Sequence, residues 1–481
     1  MKAGIRGKLL QLIRNLYEHV RIKVRTFGGE ITDAILCELG VMQGESLSPL
    51  LFAMYLNDME AHFLQYGENG VDIGDCHLML LLYADDAVIL SYTPTGLQTM
   101  LDNLLEYTTK WKLEVNIDKT KILVFRKGHR LPRDLKFHYN NAELDMVNTF
   151  VYLGIVFSHT GIFTNAQRTI ADQGRKAMFQ LLKYIQNFVN IKPSVTIDLF
   201  DKLVRPVLMY CSEAWGFHRG PDIEALHIQF CKKLLHVKRS TPNDMVLGEM
   251  RRVPCATWRH VSIVKYWLKI LHMDINRNVF KLYRILYEDC GRGKLNWATH
   301  VKDILQECGL GYAWLYQTVG NVTAFRSLFK QRITDIYGQK WRARLRNTSR
   351  GHYYLAINTD MNLLDVSYSH FETVKSSKNM YSLIKLRTCS HRLRVETGRW
   401  HRPQPIPLMD RKCDVCEVLD DEYHFVMVCR KHEQIRRTFI PSFYWTRPNM
   451  LKFINLFTNQ DCINSIAKFT SSGFEQRSAN I

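Results

Sequence analysis

Three observations predict an α+β protein. Short apolar strands, broken by Gly, Asn and Asp turns, alternate with amphipathic helices over roughly the first third of the chain. A helical period then dominates from about residue 164 to 400. Near the end, three cysteines and a histidine cluster at metal-ligand spacing.

At 481 residues the chain is long enough for several domains, and 46% hydrophobic residues supply their cores. The net charge of +19 favours a polyanionic partner, either nucleic acid or an acidic membrane surface. A basic protein without such a partner is the competing account of that charge. No apolar run reaches the ~20 residues of a transmembrane helix. Met1-Lys2-Ala3-Gly4-Ile5-Arg6 leads into a helix pattern rather than a signal sequence. An intracellular protein is therefore expected, nuclear or cytoplasmic and not secreted, with no membrane partner. Most of the 12 cysteines would then be core thiols in a reducing compartment.

Leu9, Leu12, Ile13, Leu16, Tyr17 and Val20 fall on one face of a first helix. Ile22, Val24 and Thr26 alternate with basic residues, and Phe27-Gly28-Gly29-Glu30 turns the chain toward Ile31–Ile35, which predicts a hairpin. Gly40-Val41-Met42-Gln43-Gly44 then hinges into a helix, with Ser48 expected as N-cap and Pro49 as the first helical residue. A loop exposing amides and a glutamine at a helix start suits contact with a nucleotide or base. Leu78–Tyr83 next enters Ala84-Asp85-Asp86, and a second apolar run leaves it. The flanks suit buried strands. Two adjacent carboxylates at such a tip repel each other unless a cation lies against them, and magnesium with oxygen ligands is the natural one. Taken in isolation, an Asp-Asp pair more often simply solvates a hairpin turn.

Gly-x-x-Gln-Gly-x-x-Leu-Ser-Pro-Leu-Leu-Phe followed by Tyr-Ala-Asp-Asp resembles the palm of reverse transcriptases from non-LTR (LINE-type) retrotransposons. The resemblance implies RNA-directed DNA polymerase activity on an RNA template with a DNA primer or target. It makes Asp85 and Asp86 catalytic ligands of magnesium or manganese, and it places Gln43, Gly44, Ser48, Pro49 and Tyr83 at nucleotide and template. In Val115–Phe125, Lys119 is the matching candidate beside the leaving pyrophosphate. Tyr152-Leu153-Gly154 matches the primer-grip hairpin.

On this reading, residues 1–163 are a partial palm, an antiparallel sheet with helices. Helices at 166–189 (through Phe188) and 195–210 open a thumb-like region, residues 164–290. A basic helical region, 291–400, follows. Arg326, Lys330, Arg332, Lys340, Arg342, Arg344, Arg346 and Arg350, interleaved with Tyr337 and Trp341, suit a strand-binding surface in which rings stack on bases. A solvated helix face with the aromatics in the core is the alternative.

Cys413, Cys416, His424 and Cys429 have the types and spacing of a closed, structural zinc site, with Asp421 and Glu422 placed to orient the imidazole. Their order resembles the zinc knuckle of these elements, residues 401–432. Residues 433–481 follow as a tail without a readable role.

The family completes its metal cage with an earlier aspartate, which residues 1–32 do not offer. The chain is expected to begin just after that strand, and to lack the fingers and endonuclease. Little or no polymerase activity is then expected unless a partner supplies the missing palm strand. The second hypothesis is a non-catalytic, zinc-containing nucleic-acid-binding protein derived from a retrotransposon.

Overall fold

The computed structural model describes residues 5–18, 20–37, 40–67, 69–128, 130–132, 134–187, 191–358 and 373–479. They form an α+β chain of two compact units, residues 1–150 and 151–481.

In the first unit, α1 (Gly7–Glu18) leads to β1 (Arg21–Ile22), which pairs antiparallel with β2 (Ile35–Leu36). Next come α2 (Ser48–Tyr55), α3 (Met59–Leu64), the β3 (Val71–Ile73)–β4 (Cys76–Leu78) hairpin and the β5 (Leu80–Tyr83)–β6 (Asp86–Ile89) hairpin. The long α4 (Pro94–Lys110) follows. Thr93 caps it by accepting the Gly96 N–H at 3.0 Å, and Pro94 fits the first turn because no N–H is needed there. Its Met100, Leu101, Leu104 and Tyr107 recur at helical spacing and bury against Leu56, Met59 and Phe63. β7 (Ile122–Leu123), the β8 (His138–Tyr139)–β9 (Ala142–Glu143) hairpin and β10 (Met146–Val147) complete the unit, with β10 parallel to β7. The expected antiparallel palm sheet thus takes the form of separate two-stranded ladders among the described residues, one of them parallel.

The second unit begins within β11 (Thr149–Tyr152), which forms a hairpin with β12 (Ile155–Ser158). Helices follow almost without interruption: α5 (Thr164–Gln186), α6 (Pro193–Leu203), α7 (Arg205–Leu208), α8 (Ser212–Trp215), α9 (Pro221–Leu234), α10 (Asn243–Glu249), α11 (Cys255–Leu271), α12 (Asn278–Gly291), α13 (Trp297–Glu307), α14 (Gly311–Tyr316) and α15 (Val322–Arg346). The helix expected to reach residue 189 ends at Gln186, and Phe188 lies outside the described residues. Residues 433–481, unread in the sequence, contain the helices Glu433–Phe439, Ser442–Trp445, Met450–Thr458 and Gln460–Ser478. Their Phe453, Phe457, Ile466 and Phe469 share one core with Met178, Phe200 and Phe230 of α5, α6 and α9.

The aromatics of the basic zone are core residues. α15 buries Phe325, Phe329, Ile333, Tyr337, Trp341 and Leu345, every fourth position. At 3.6 residues per turn such a row drifts by about 40° per step, so it winds around the helix. The first three side chains consequently join a cluster with Trp267 and Leu305, and the last three join a different one with Met245 and Tyr354. Trp341 is fully buried, and its indole N–H donates to the Asp244 carbonyl at 2.7 Å. Neither ring is free to stack on a base. Trp341→Ala is expected to destabilise the second unit by about 3–5 kcal/mol, measured by denaturant unfolding. Arg342→Ala, on the outer face, should leave that stability within about 0.5 kcal/mol of the parent.

Candidate active site and metal centre

The Gln43 loop is a tight turn. Glu45 N–H reaches the Met42 carbonyl at 3.5 Å, and Gly44 takes φ +88°, which a side chain would resist. Gln43, Gly44 and Pro49 are exposed. Ser48 is not the N-cap. It is the first residue of α2, Pro49 is the second, and Leu47 precedes them without a side-chain cap. The buried Ser48 hydroxyl instead meets Glu45 Oε2 at 3.3 Å and Tyr17 Oη at 3.2 Å, while Tyr17 also donates to Glu45. That carboxylate holds the Tyr17 hydroxyl proton more firmly than usual. A three-residue knot therefore ties α1 to the loop.

Tyr83 pairs with Asp86 across the β5–β6 hairpin, leaving Ala84 and Asp85 as a two-residue turn. Ala84 sits in the left-handed region at φ 52°, a conformation that costs about 1–3 kcal/mol for a non-glycine residue. The apolar approach is not buried as expected: Leu81, Leu82 and Tyr83 are 41%, 42% and 63% exposed. The sequence shows that these residues are apolar, but not whether a neighbouring strand covers them. Asp85 and Asp86 are exposed too, so water screens their repulsion. Among the described residues neither carboxylate makes a hydrogen bond or ion pair, and no third metal-binding side chain joins them. Two carboxylates are a partial fit to a six-oxygen magnesium shell.

Lys119 is exposed. Its backbone N–H donates to Asn116 Oδ1 at 3.0 Å, and it is Lys121, two positions on, that pairs with Asp145 at 2.7 Å. No hydrogen bond or ion pair links Gln43, Asp85, Asp86 and Lys119 to one another among the described residues. In the second unit, Leu153 (φ 47°) and Gly154 (φ 76°) form the two-residue turn of the β11–β12 hairpin, the positive pair that matches strand twist. Tyr210 closes over this tip, donating to the Leu153 carbonyl at 2.8 Å. The Tyr152 ring lies 6.4 Å from that of Phe157.

The Cys/His cluster converges. The donor atoms of Cys413, Cys416, His424 and Cys429 lie within 4.8 Å of one another, and the Cys413 and Cys429 sulfurs are 3.9 Å apart. Cys413 shapes the turn: its N–H donates to the Val418 carbonyl and its carbonyl accepts from Glu417 N–H. The Arg430 N–H points at Cys416 Sγ, 3.4 Å away. Burial and the nearby Cys413 push the Cys429 thiol up to about 12, and burial lowers the basicity of His424. His424 decides the fit. It is buried, yet neither ring nitrogen has a hydrogen-bond partner. An imidazole in that state is costly unless a cation takes its lone pair. The donor set and this orphaned ring fit zinc.

Asp421 and Glu422 do not touch the imidazole. Asp421 accepts the His424 backbone N–H at 2.7 Å and the Tyr353 hydroxyl at 2.8 Å. Glu422 meets His391 Nε2 at 2.9 Å.

Residues 4–157 match the family described as reverse transcriptase (RNA-dependent DNA polymerase). They form a reverse transcriptase domain. The chain is 21% identical over 283 residues to the Pol polyprotein of the type-1 retrotransposable element R2 of Popillia japonica, covering 54% of this chain and 44% of that protein. It is 23% identical over 240 residues to the RNA-directed DNA polymerase from mobile element jockey of Drosophila funebris, covering 48% and 25%. With the Pol polyprotein of the type-2 element R2DM of Drosophila melanogaster it shares 28% identity over 173 residues, covering 34% and 16%. The chain thus spans less than half the length of each of these curated relatives. They place the domain among those of non-LTR retrotransposons.

Several residues around the reverse transcriptase motifs and the cluster escaped sequence reasoning. Glu45 and Tyr17 lie 28 positions apart, and no local pattern announces that contact. Tyr210 is likewise 57 positions from Leu153. Arg436, buried below the cluster, donates to the Val426 and Cys429 carbonyls at 2.7 and 2.8 Å. Its helix, Glu433–Phe439, is largely polar in sequence and gave no signal that this arginine is the buried one. Gly154→Ala is expected to lower stability by about 1–3 kcal/mol, because its φ is positive and a Cβ would lie 3.2 Å from Tyr210 Cε1. A thermal melt of the variant checks this.

Proposed function

We propose that this chain carries the palm-side part of a non-LTR retrotransposon reverse transcriptase, acting on an RNA template and a DNA primer or target. Asp85 and Asp86 supply two metal carboxylates, and Gln43, Gly44, Ser48, Pro49 and Tyr83 frame nucleotide and template. Lys119 faces the departing pyrophosphate, and Tyr152, Leu153 and Gly154 steady the primer. The supporting observation is the pair of adjacent, unpartnered carboxylates on a strained hairpin turn inside the matched segment. A bound divalent cation would supply charge neutralisation for nucleotidyl transfer. The third carboxylate comes from residues other than those described here, in the same polypeptide or a partner chain.

The test is magnesium-dependent nucleotide binding, followed by primer extension. Asp85→Asn should abolish the binding while leaving the fold intact. Extension by the chain alone should be slight or absent, and restored by a segment that supplies the acidic strand. Nucleotide binding indifferent to Asp85→Asn would overturn the catalytic reading in favour of a zinc-containing, non-catalytic nucleic-acid-binding protein. That the Cys/His cluster is fully formed while the carboxylate site is incomplete favours that second reading.

In both readings Cys413, Cys416, His424 and Cys429 hold a structural zinc ion. Its free energy of binding is then folding free energy for the surrounding helices. The purified chain should contain about one zinc per molecule. A strong chelator should remove it with loss of helical circular dichroism, and His424→Ala should yield zinc-free protein of reduced thermal stability. Full helicity after complete zinc removal would refute the structural role.

A further inference from the structure

The second unit contains an open depression of about 640 Å³ between α11, the turn that follows it and the start of α15. Lys265 and Lys269 on α11, Arg277 beyond the turn and Arg326 on α15 line it, together with His272 and Asp274. All four of those lysine and arginine side chains are exposed, and among the described residues none has a carboxylate partner. Asp274, the acid in the lining, is occupied locally: its Oδ1 accepts the Asn276 N–H at 2.8 Å. His272 is turned toward its own helix, with Nδ1 2.8 Å from the Leu268 carbonyl. Four cations, opposed by the single carboxylate of Asp274, therefore converge on one concavity, at a mutual-repulsion cost that an anion would relieve.

The lining also says what kind of anion. The rest of the surface is aliphatic, from Leu268, Met273 and Val322, with no aromatic ring to stack on a base. The aromatics of α15 are turned into the core. The same helix carries Lys330, the next exposed cation one turn beyond Arg326, so the charge continues out of the depression along α15. A single small anion would need no such extension, whereas a chain of phosphates would.

We propose that this depression and the adjoining face of α15 bind a nucleic-acid strand through its phosphodiester backbone, without reading base sequence. The inference rests on the proposed nucleic-acid function only for the identity of the polyanion. It does not involve the Tyr-Ala-Asp-Asp turn.

The test uses the full chain and fluorescence anisotropy with labelled single-stranded RNA of about 20 nucleotides, in two unrelated sequences, across about 50–300 mM potassium chloride. The variant combines Lys265→Ala, Lys269→Ala, Arg277→Ala and Arg326→Ala. A control of equal charge change combines Lys176→Ala, Lys183→Ala, Arg447→Ala and Lys468→Ala, all exposed and elsewhere in the unit. The depression variant should lose at least about tenfold in affinity at low salt, equally for both sequences. Its log–log salt slope should fall by about 3 units, near 0.7 per phosphate contact on a single strand. Circular dichroism should be unchanged for both variants. Equal losses in the control would reduce the effect to net charge and overturn the site, as would an unchanged slope in the depression variant. A loss confined to one RNA sequence would overturn the backbone-only mode. Because Asp85→Asn tests the catalytic reading separately, a failed polymerase assay leaves this outcome independently readable.

Discussion

Three consecutive acids organise the carboxy-terminal half of the larger unit. Taking a carboxylate out of water is unfavourable unless donors replace its hydration. Asp420, fully buried, takes a forked contact from Arg477 on the last helix and the Arg394 N–H. Asp421 takes the Tyr353 hydroxyl, and Glu422 takes His391. Burial pushes Glu422 up, but the hydrogen bond and charge of His391, with the backbone N–H and the Cys389 thiol, together outweigh it and hold the carboxyl below its ordinary range. Each acid thus fixes a different element, and together they deliver His424 to the three thiols two positions later. The cluster is less a detachable knuckle than a node in which several helices meet. Phe425, Val426 and Met427, directly after the histidine, enter the main core.

The same logic explains what the sequence disclosed. The convergence of Cys413, Cys416, His424 and Cys429 was legible because the close spacing of two cysteines, a histidine and a third cysteine survives as text. The hairpin at 80–89 was legible from its residues, because two aspartates interrupt two apolar runs, whereas the one at 149–158 reads in the sequence as a single buried strand and was expected only through the family resemblance. Ser48 was misread by one position because its competing partner, Glu45, is recognisable only once Tyr17 is nearby. Asp421 and Glu422 were assigned to the nearest ring, yet their partners lie 68 and 31 positions away. Long-range donors leave no periodic trace. Tyr337 and Trp341 were ambiguous for a related reason: charge surrounds them in sequence but not in space.

The reverse transcriptase domain shows a different economy. Its own core is small, built on α3 and α4, and many apolar side chains remain at its surface. None of the residues of α1 is buried, although Leu9, Leu12 and Leu16 share a face as the sequence predicts. Surface of that kind is uncommon on an isolated soluble domain and is more typical of one that lies against further protein. The exposed strand β5 belongs to the same pattern, and it places the catalytic candidates on the less covered part of the chain.

The winding row of α15 limits how the chain can vary. Its near half belongs to one cluster and its far half to another, so the helix sets the rotational phase between them. Inserting or deleting one residue between Phe329 and Tyr337 would turn everything beyond it by about 100°. Trp341 would then leave its pocket, and Lys340 (on insertion) or Arg342 (on deletion) would take its place. Length changes should therefore accumulate in the segment after Arg346, and the helix itself should keep its residue count wherever this architecture is retained.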